Sequence, residues 1–184
     1  ITNASPWDSL KFDIKGIEEI QRKFFGTLFN TYQFFALYAN VDGFTYSEKS
    51  IPVAQRHEMD QWIISALNTL IEKVTAFMDD YEPTQAGRAI EHFVDEHLSN
   101  WYVRLSRRRF WKGEYNEDKI SAYQTLYECL EILSLLIAPV SPFFADWLFQ
   151  NLNRTSERYQ VSSVHLMDFP EKHQEYIQED LEQR

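Results

Sequence analysis

The sequence predicts an all-α fold: a bundle of about five mostly long antiparallel helices, followed by an extended strap and a charged tail. Its 184 residues include only 5 Gly and 6 Pro, which is too few for the many turns of an all-β protein. Hydrophobic residues make up 44% of the chain and aromatic residues 16%, which is enough to bury a large core. Apolar residues also recur at spacings of three and four along most of the chain, as they do on one face of a helix.

We expect the helical bundle to occupy residues 1–158 and the strap and tail to occupy residues 159–184. Residues 1–13 begin with Ile and show no helical pattern, so they are interpreted as a lead-in from a preceding domain. The single cysteine, Cys129, lies in an apolar helical pattern and is expected to be a buried thiol. No apolar run approaches the roughly 18 residues that a membrane span needs, so we expect a soluble protein with no membrane partner. The single cysteine is consistent with a cytoplasmic location, which is what we expect.

The first helix is expected from about Ile14 to Asn40, and Gly43 is expected to end it. The second carries one apolar stripe between Met59 and Met78. Its polar residues lie on the opposite face and are expected in solvent, among them Asp60, Ser65 and Asn68.

The third helix is expected from about Thr84 to Trp111, with Gly113 beyond its end. At 3.6 residues per turn its buried stripe is predicted to contain Ala86, Ile90, Val94, His97, Trp101 and Leu105. His97 is therefore expected to be a hydrogen-bonded core residue. His92 is five positions away, about 140° around an α-helix, so the two histidines are not expected to form a metal-binding pair.

The fourth helix is expected to begin at Asn116, which suits an N-cap, and to end before Pro139. The fifth is expected to be capped by Ser141, with Pro142 at its first position. The segment after Asn153 is rich in β-branched and small polar residues and ends in proline, which predicts an extended strap.

The sequence contains no P-loop, no GxGxxG, no HExxH and no CxxC motif. Most acidic residues lie on polar helix faces, where a solvated carboxylate is the simplest interpretation. We therefore expect no catalytic residue, no metal ligand and no cofactor within this chain.

One stretch, Ser99–Trp111, concentrates arginine and aromatic residues in a chain whose net charge is -10. Its cations, with the lysine that follows, are Arg104, Arg107, Arg108, Arg109 and Lys112. No acid occurs from Leu98 to Gly113, so the local field is positive. Two hypotheses remain open: the cations stabilise the helix C-terminus and pair with an acid on another domain, or they bind phosphates, with Tyr102, Phe110 and Trp111 as stacking surfaces for unpaired bases.

Five segments in order resemble a known family. The segment "LSNWYVRLSRRRFW" resembles the signature of the anticodon-binding domain of isoleucyl-tRNA synthetases. "FNTYQFFALYAN" and "EMDQWIISALNTLIEKV" are similar to its first two bundle helices. "LLIAPVSPFFADWLFQNL" resembles a helix that the valine and leucine enzymes share, and "SSVHLMDFP" resembles the closing strap.

The resemblance implies a helical bundle that docks the anticodon arm of tRNA(Ile), while the catalytic domain of the same chain activates isoleucine with ATP and Mg²⁺. The HIGH and KMSKS motifs of that catalytic domain are absent from these residues, and a zinc module of the family would lie elsewhere. The fragment is thus expected to support aminoacylation without catalysing it, and to bind no DNA. A helical protein-interaction module, or the corresponding domain of a valyl or leucyl enzyme, is the alternative.

Within this family interpretation, the expected tRNA-backbone contacts are Arg104, Arg107, Arg108, Arg109 and Lys112. Trp111 is a candidate for base stacking. Trp101 and Tyr102 are expected in the core, and Asn30 is expected to hydrogen-bond within or between helices.

Overall fold

The structure is a computed structural model that describes residues 14–183. Within them it contains α-helices, π-helical and 3₁₀ turns and no strand, which confirms the all-α prediction. The expected lead-in at residues 1–13 lies outside the described residues, and the domain boundaries stay a prediction.

Five helical rods form the bundle, and two of them contain π-helical turns. The first rod consists of α1 (Ile14–Ile20), a π segment (Gln21–Phe25) and α2 (Gly26–Asp42). The second is α3 (Glu58–Asp79). The third consists of α4 (Pro83–His92), a π segment (Phe93–Val103) and α5 (Arg104–Trp111). The fourth and fifth are α6 (Glu117–Ile137) and α7 (Pro142–Ser156), and a single-turn helix, α8 (Glu179–Glu182), lies in the tail.

Short connections turn the chain back between the second, third, fourth and fifth rods, so successive rods pack as antiparallel neighbours. Every rod contributes a fully buried side chain to one continuous core, for example Leu28, Ile63, Leu98, Tyr123 and Leu148. Cys129 is buried in α6, as its apolar pattern predicts. Among residues 14–183, no helix has both the length and the apolar character needed to cross a bilayer.

The stop and start signals of the helices are confirmed at most positions. Gly43 and Gly113 take positive φ angles of 72° and 90°, a conformation in which a side chain is strained. The Asn116 side chain accepts a hydrogen bond from the Lys119 amide at 3.0 Å and so caps α6. Ser141 does occupy the N-cap of α7, but its hydroxyl makes no capping hydrogen bond, so that part of the prediction is wrong.

The predicted buried stripe of the third rod is wrong beyond Val94. Trp101 and Leu105 are 55% and 58% exposed, and the buried residues recur at every fourth position instead: Ala86, Ile90, Val94, Leu98, Tyr102, Ser106 and Phe110. In an α-helix, residues four apart drift by about 40° per step. The wider turns of the π segment hold more residues each and offset this drift, so the same side of the rod faces the core along its length.

Part of the polar face of α3 is covered rather than solvated. Asp60, Ser65 and Asn68 are buried, contrary to expectation. The tail covers Ser65 and Asn68, whereas α5 and α6 cover Asp60. The Gln178 amide donates to Ser65 Oγ at 2.7 Å, and the His173 amide donates to Asn68 Oδ1 at 2.7 Å. These hydrogen bonds satisfy polar groups that would otherwise be buried without partners.

The strap is tied to α7 by one carboxylate. Asp146 accepts hydrogen bonds from the Ser163 hydroxyl and the Val164 amide, each at 2.8 Å, and Val164 inserts into the core. The strap is therefore attached to the bundle by hydrogen bonds to Asp146 and by apolar packing, to which Val161 and Met167 also contribute.

Candidate nucleic-acid interface

A buried ion-pair cluster fixes α5 against α3 and α6. Asp60, which is 0% exposed, accepts hydrogen bonds from the Tyr102 hydroxyl at 2.7 Å and from Ser121 Oγ at 3.0 Å. Both terminal nitrogens of Arg109 also donate to this carboxylate, each at 2.7 Å. Burial is the largest influence on the pKa of the Arg109 guanidinium and acts to lower it. The hydrogen bonds to Asp60 and Asp118 and the charges of Asp60 and Tyr102 together outweigh burial and raise that pKa above its ordinary value, so the guanidinium is charged.

Arg109 is consequently part of the bundle rather than of its surface. Its Nε atom donates to Asp118 at 3.1 Å, and its side chain is largely buried. The expectation that Arg109 contacts a tRNA phosphate is not supported, because its donors already serve carboxylates that need them. A buried carboxylate without a cation is costly, which explains why this arginine turns inward.

Most of the remaining cations lie on one exposed face, which we call the outer face of the third rod. Five of its side chains are spaced as neighbours on one side of a helix: Trp101, Arg104, Leu105, Arg108 and Trp111. Lys112, which directly follows the last residue of α5, completes it. Arg107 is also exposed and lies beside this face. Tyr102 and Phe110 are fully buried, so neither can stack on a base. For Tyr102 this confirms the expectation that it lies in the core, whereas the same expectation for Trp101 is wrong. Trp111 is 52% exposed, with the Lys112 ammonium 5.5 Å from its ring centroid.

These cations have no acidic partner among residues 14–183. Arg104, Arg107, Arg108 and Lys112 take part in no ion pair there, although Arg107 lies 5.7 Å from the ring centroid of Phe34. The neighbouring rod adds no compensating charge, because the sequence from Gly26 to Val41 contains no acid. The outer face is therefore a positive surface on a protein of net negative charge.

Two depressions lie side by side on this surface. One is an open shelf lined by Glu96, Asn100, Trp101, Arg104 and Leu105. The other is a groove of about 280 Å³ between α2 and the third rod, lined by Asn30, Thr31, Phe34, Ser99, Asn100, Val103, Arg104 and Arg107. Asn100 and Arg104 line both, so they form the ridge between them. The sequence did not indicate that Trp101, Asn30 and Asn100 belong to this surface. For Trp101 the reason is that the α-helical period assigned it to the core.

His92 and His97, both in the third rod, lie closer together than an α-helix would place them. The ring centroids of His92 and His97 lie 5.1 Å apart. In an α-helix the two side chains would point about 140° apart around the axis, and the wider turns of the π segment bring them together instead. His97 Nδ1 has no hydrogen-bond partner in the described part of the chain, so the expected hydrogen bond is also absent. Burial, and next the proximity of His92, lowers the pKa of His97. In residues 14–183, no group of three or more possible ligands could hold a metal ion.

A second network of buried charge ties the loop after α2, and Arg158 after α7, to the middle of α6. The Arg56 guanidinium donates to both carboxylate oxygens of Glu128, at 2.7 and 2.8 Å. Arg158 lies 4.2 Å from the ring centroid of Tyr46 and pairs with Glu131 at 3.1 Å. Asp60 and Glu131 are thus buried structural acids, contrary to the expectation that the carboxylates lie in solvent.

Fold and surface together define an all-α bundle domain with one basic face that also exposes tryptophan, a combination typical of helical modules that bind nucleic acid. A family model described as the anticodon-binding domain of tRNA ligase matches residues 60–184. Because this match covers more than half of the chain, the chain belongs to that family.

Curated relatives agree with this assignment. The isoleucine–tRNA ligase of Bacteroides thetaiotaomicron is 60% identical over 184 residues, which is 100% of this chain and 16% of the relative. The corresponding ligase of Porphyromonas gingivalis is 62% identical over 183 residues, covering 100% of this chain and 16% of the relative. That of Dehalococcoides mccartyi is 50% identical over 181 residues, covering 98% of this chain and 18% of the relative. The chain thus spans about one sixth of the length of the relatives it matches, and the resemblance based on its ordered motifs is confirmed.

Proposed function

We propose that this chain binds the anticodon arm of tRNA(Ile) and that its outer face provides the contacts to the phosphate backbone. The observation that carries the proposal is the set of exposed cations, Arg104, Arg107, Arg108 and Lys112, which have no acidic partner among residues 14–183. Arginine binds phosphate oxygens through paired N–H donors, and released counterions supply the driving force. Trp111 extends this surface with an exposed ring on which a base can stack.

The overall negative charge does not oppose this assignment. Electrostatic interactions between exposed charges are screened over about 8–10 Å, so a bound RNA responds to the local field. In the tail, the acid Glu182 is held on α3, where its carboxylate accepts hydrogen bonds from the Ser65 and Thr69 hydroxyls. We expect the domain by itself to bind tRNA weakly and in a salt-sensitive manner.

The proposal places the chain within a cytoplasmic ligase that attaches isoleucine to tRNA(Ile). ATP and Mg²⁺ would act in the catalytic domain of that ligase, and zinc, where the family carries it, would bind outside these residues. The described residues offer no cluster of metal ligands, so no catalytic step is assigned to them. Their contribution is to hold the tRNA so that its acceptor end reaches the catalytic domain. No contact with DNA or membrane is part of the proposal.

The proposal is tested with alanine at Arg104, Arg107 and Arg108 in the full-length ligase. The expected result is a higher KM for tRNA, with isoleucine-dependent ATP–pyrophosphate exchange nearly unchanged. Each lost phosphate contact should also reduce the slope of log affinity against log salt by about 1. Arg88→Ala is a matched control, because Arg88 is an exposed arginine on the same rod, 16 positions before Arg104 in the sequence, and lines neither depression.

A different outcome would favour the interaction-module hypothesis. If the three substitutions abolish exchange and tRNA charging together, the arginines hold the catalytic domain rather than the tRNA. Unchanged tRNA affinity in all three variants would contradict the proposed phosphate contacts.

A further inference from the structure

We propose that the two depressions of the outer face bind two consecutive unpaired nucleotides, one base stacked on Trp101 and the next inserted between Asn30 and Asn100. This inference rests on the proposed RNA-binding function and names the chemistry of the site. The ligand class is single-stranded RNA, as found in a hairpin loop.

The open shelf has the features of a stacking platform. Trp101 is 55% exposed and lines this depression, so about half of its surface is available to a bound base. Leu105 extends the apolar surface beside it, and Arg104 borders it. Stacking on an aromatic ring is sequence-tolerant, because every base has a flat π-face. This depression therefore supplies affinity rather than choice of base.

The neighbouring groove has the features of a site that discriminates between bases. Asn30 and Asn100 are exposed amides, and neither makes a hydrogen bond within residues 14–183. Each amide offers a donor and an acceptor, which is the pairing that base edges require. Phe34 also lines the groove, and the Arg107 guanidinium lies 5.7 Å from its ring centroid. At about 280 Å³, the groove lies near the lower end of the volumes that hold small ligands.

The ridge between the depressions supplies the link. Arg104 and Asn100 line both, so a phosphate that joins the two nucleotides would lie against Arg104. The only acid lining either depression is Glu96, which lines the shelf and not the groove. Arg107 also lines the groove. The bound RNA strand would therefore run from Trp101 on the shelf, past Arg104, toward Arg107. This order of stacking surface, cation and amide pair distinguishes the site from a purely electrostatic surface.

The experiment uses the full chain and an RNA hairpin that carries the anticodon loop of tRNA(Ile), with one abasic substitution at each loop position in turn. Binding is measured by fluorescence anisotropy at low salt. The variants are Trp101→Ala, Trp101→Phe, and Asn30→Ala combined with Asn100→Ala. Asn40→Ala is the matched control, because Asn40 is an exposed amide on α2 outside both depressions. Unchanged thermal unfolding confirms that each variant is folded.

Trp101→Ala should weaken binding about 5- to 100-fold, whereas Trp101→Phe should keep most of the affinity of the unmodified chain. At one loop position, the abasic substitution should then cause no further loss of affinity for the Trp101→Ala variant. The asparagine double variant should be insensitive to the abasic substitution at the adjacent position and only there. If every abasic effect persists in all variants, while Arg108→Ala still weakens binding, the two-nucleotide site is wrong and the phosphate contacts stand. If Arg108→Ala also leaves binding unchanged, both proposals fail.

Discussion

Replacing Arg109 by methionine is expected to destabilise the bundle far more than replacing the adjacent Arg108. The substitution removes the hydrogen bonds that Arg109 donates to Asp60, Asp118 and Ser121. Asp60 would stay fully buried, with only the Tyr102 and Ser121 hydroxyls as partners. Leaving one charge of a buried pair without its partner costs about 3–5 kcal/mol. For a chain of this size, that corresponds to a fall in Tm of roughly 6–20 °C.

The assay is urea unfolding at pH 7, with the free energy of unfolding extrapolated to water. Arg108→Met is the matched control, because Arg108 is exposed and surface substitutions usually change stability by about 0.5 kcal/mol or less. Asp60→Leu combined with Arg109→Met should recover part of the loss, since the unpaired charge is then removed as well. A cost below about 1 kcal/mol for Arg109→Met, similar to that of Arg108→Met, would refute the structural role assigned to this arginine.

Three further predictions concern buried titratable groups. Burial and His92 lower the pKa of His97, so the unfolded chain binds the proton more readily. Stability should therefore fall as pH drops through about 6.5, and a His97→Gln variant with the same pH dependence between pH 7 and 5.5 would contradict this. Burial raises the pKa of the Cys129 thiol, so an aromatic disulfide reagent should modify it only when urea unfolds the protein; rapid labelling without urea would show that the thiol is accessible. Burial also raises the pKa of Glu131, whose cation is Arg158. Arg158→Ala should cost about 1–3 kcal/mol at pH 7 and less at pH 5, where Glu131 is more readily protonated; equal costs at both pH values would exclude this pairing as the cause.

Most of the fold could be predicted because its signals are local. The beginning of α6 depends on Asn116 and the amide of Lys119, three residues away, and the ends of α2 and α5 depend on glycines that accept positive φ. The ordered motifs that predicted the family are likewise contiguous segments. Such features are visible in a short window of sequence.

The candidate site was predicted only in part, because burial depends on partners far along the chain. Arg109 is drawn inward by Asp60, which lies 49 positions away, and no local pattern distinguishes it from Arg108. Similarly, Ser65 and Asn68 are buried by a tail more than 100 positions away. The composition of the arginine cluster was visible, but the division of its members between interior and surface was not.

By itself, the sequence determined the helices, their ends, the family and the segment on which the basic surface lies. Only the tertiary structure decided which side of the third rod faces the core. A period of 3.6 residues places Trp101 inside, whereas the π segment packs between neighbouring rods and keeps every fourth residue inward. That change of helical period moves a tryptophan to the surface, beside four cations that have no acidic partner in the described chain.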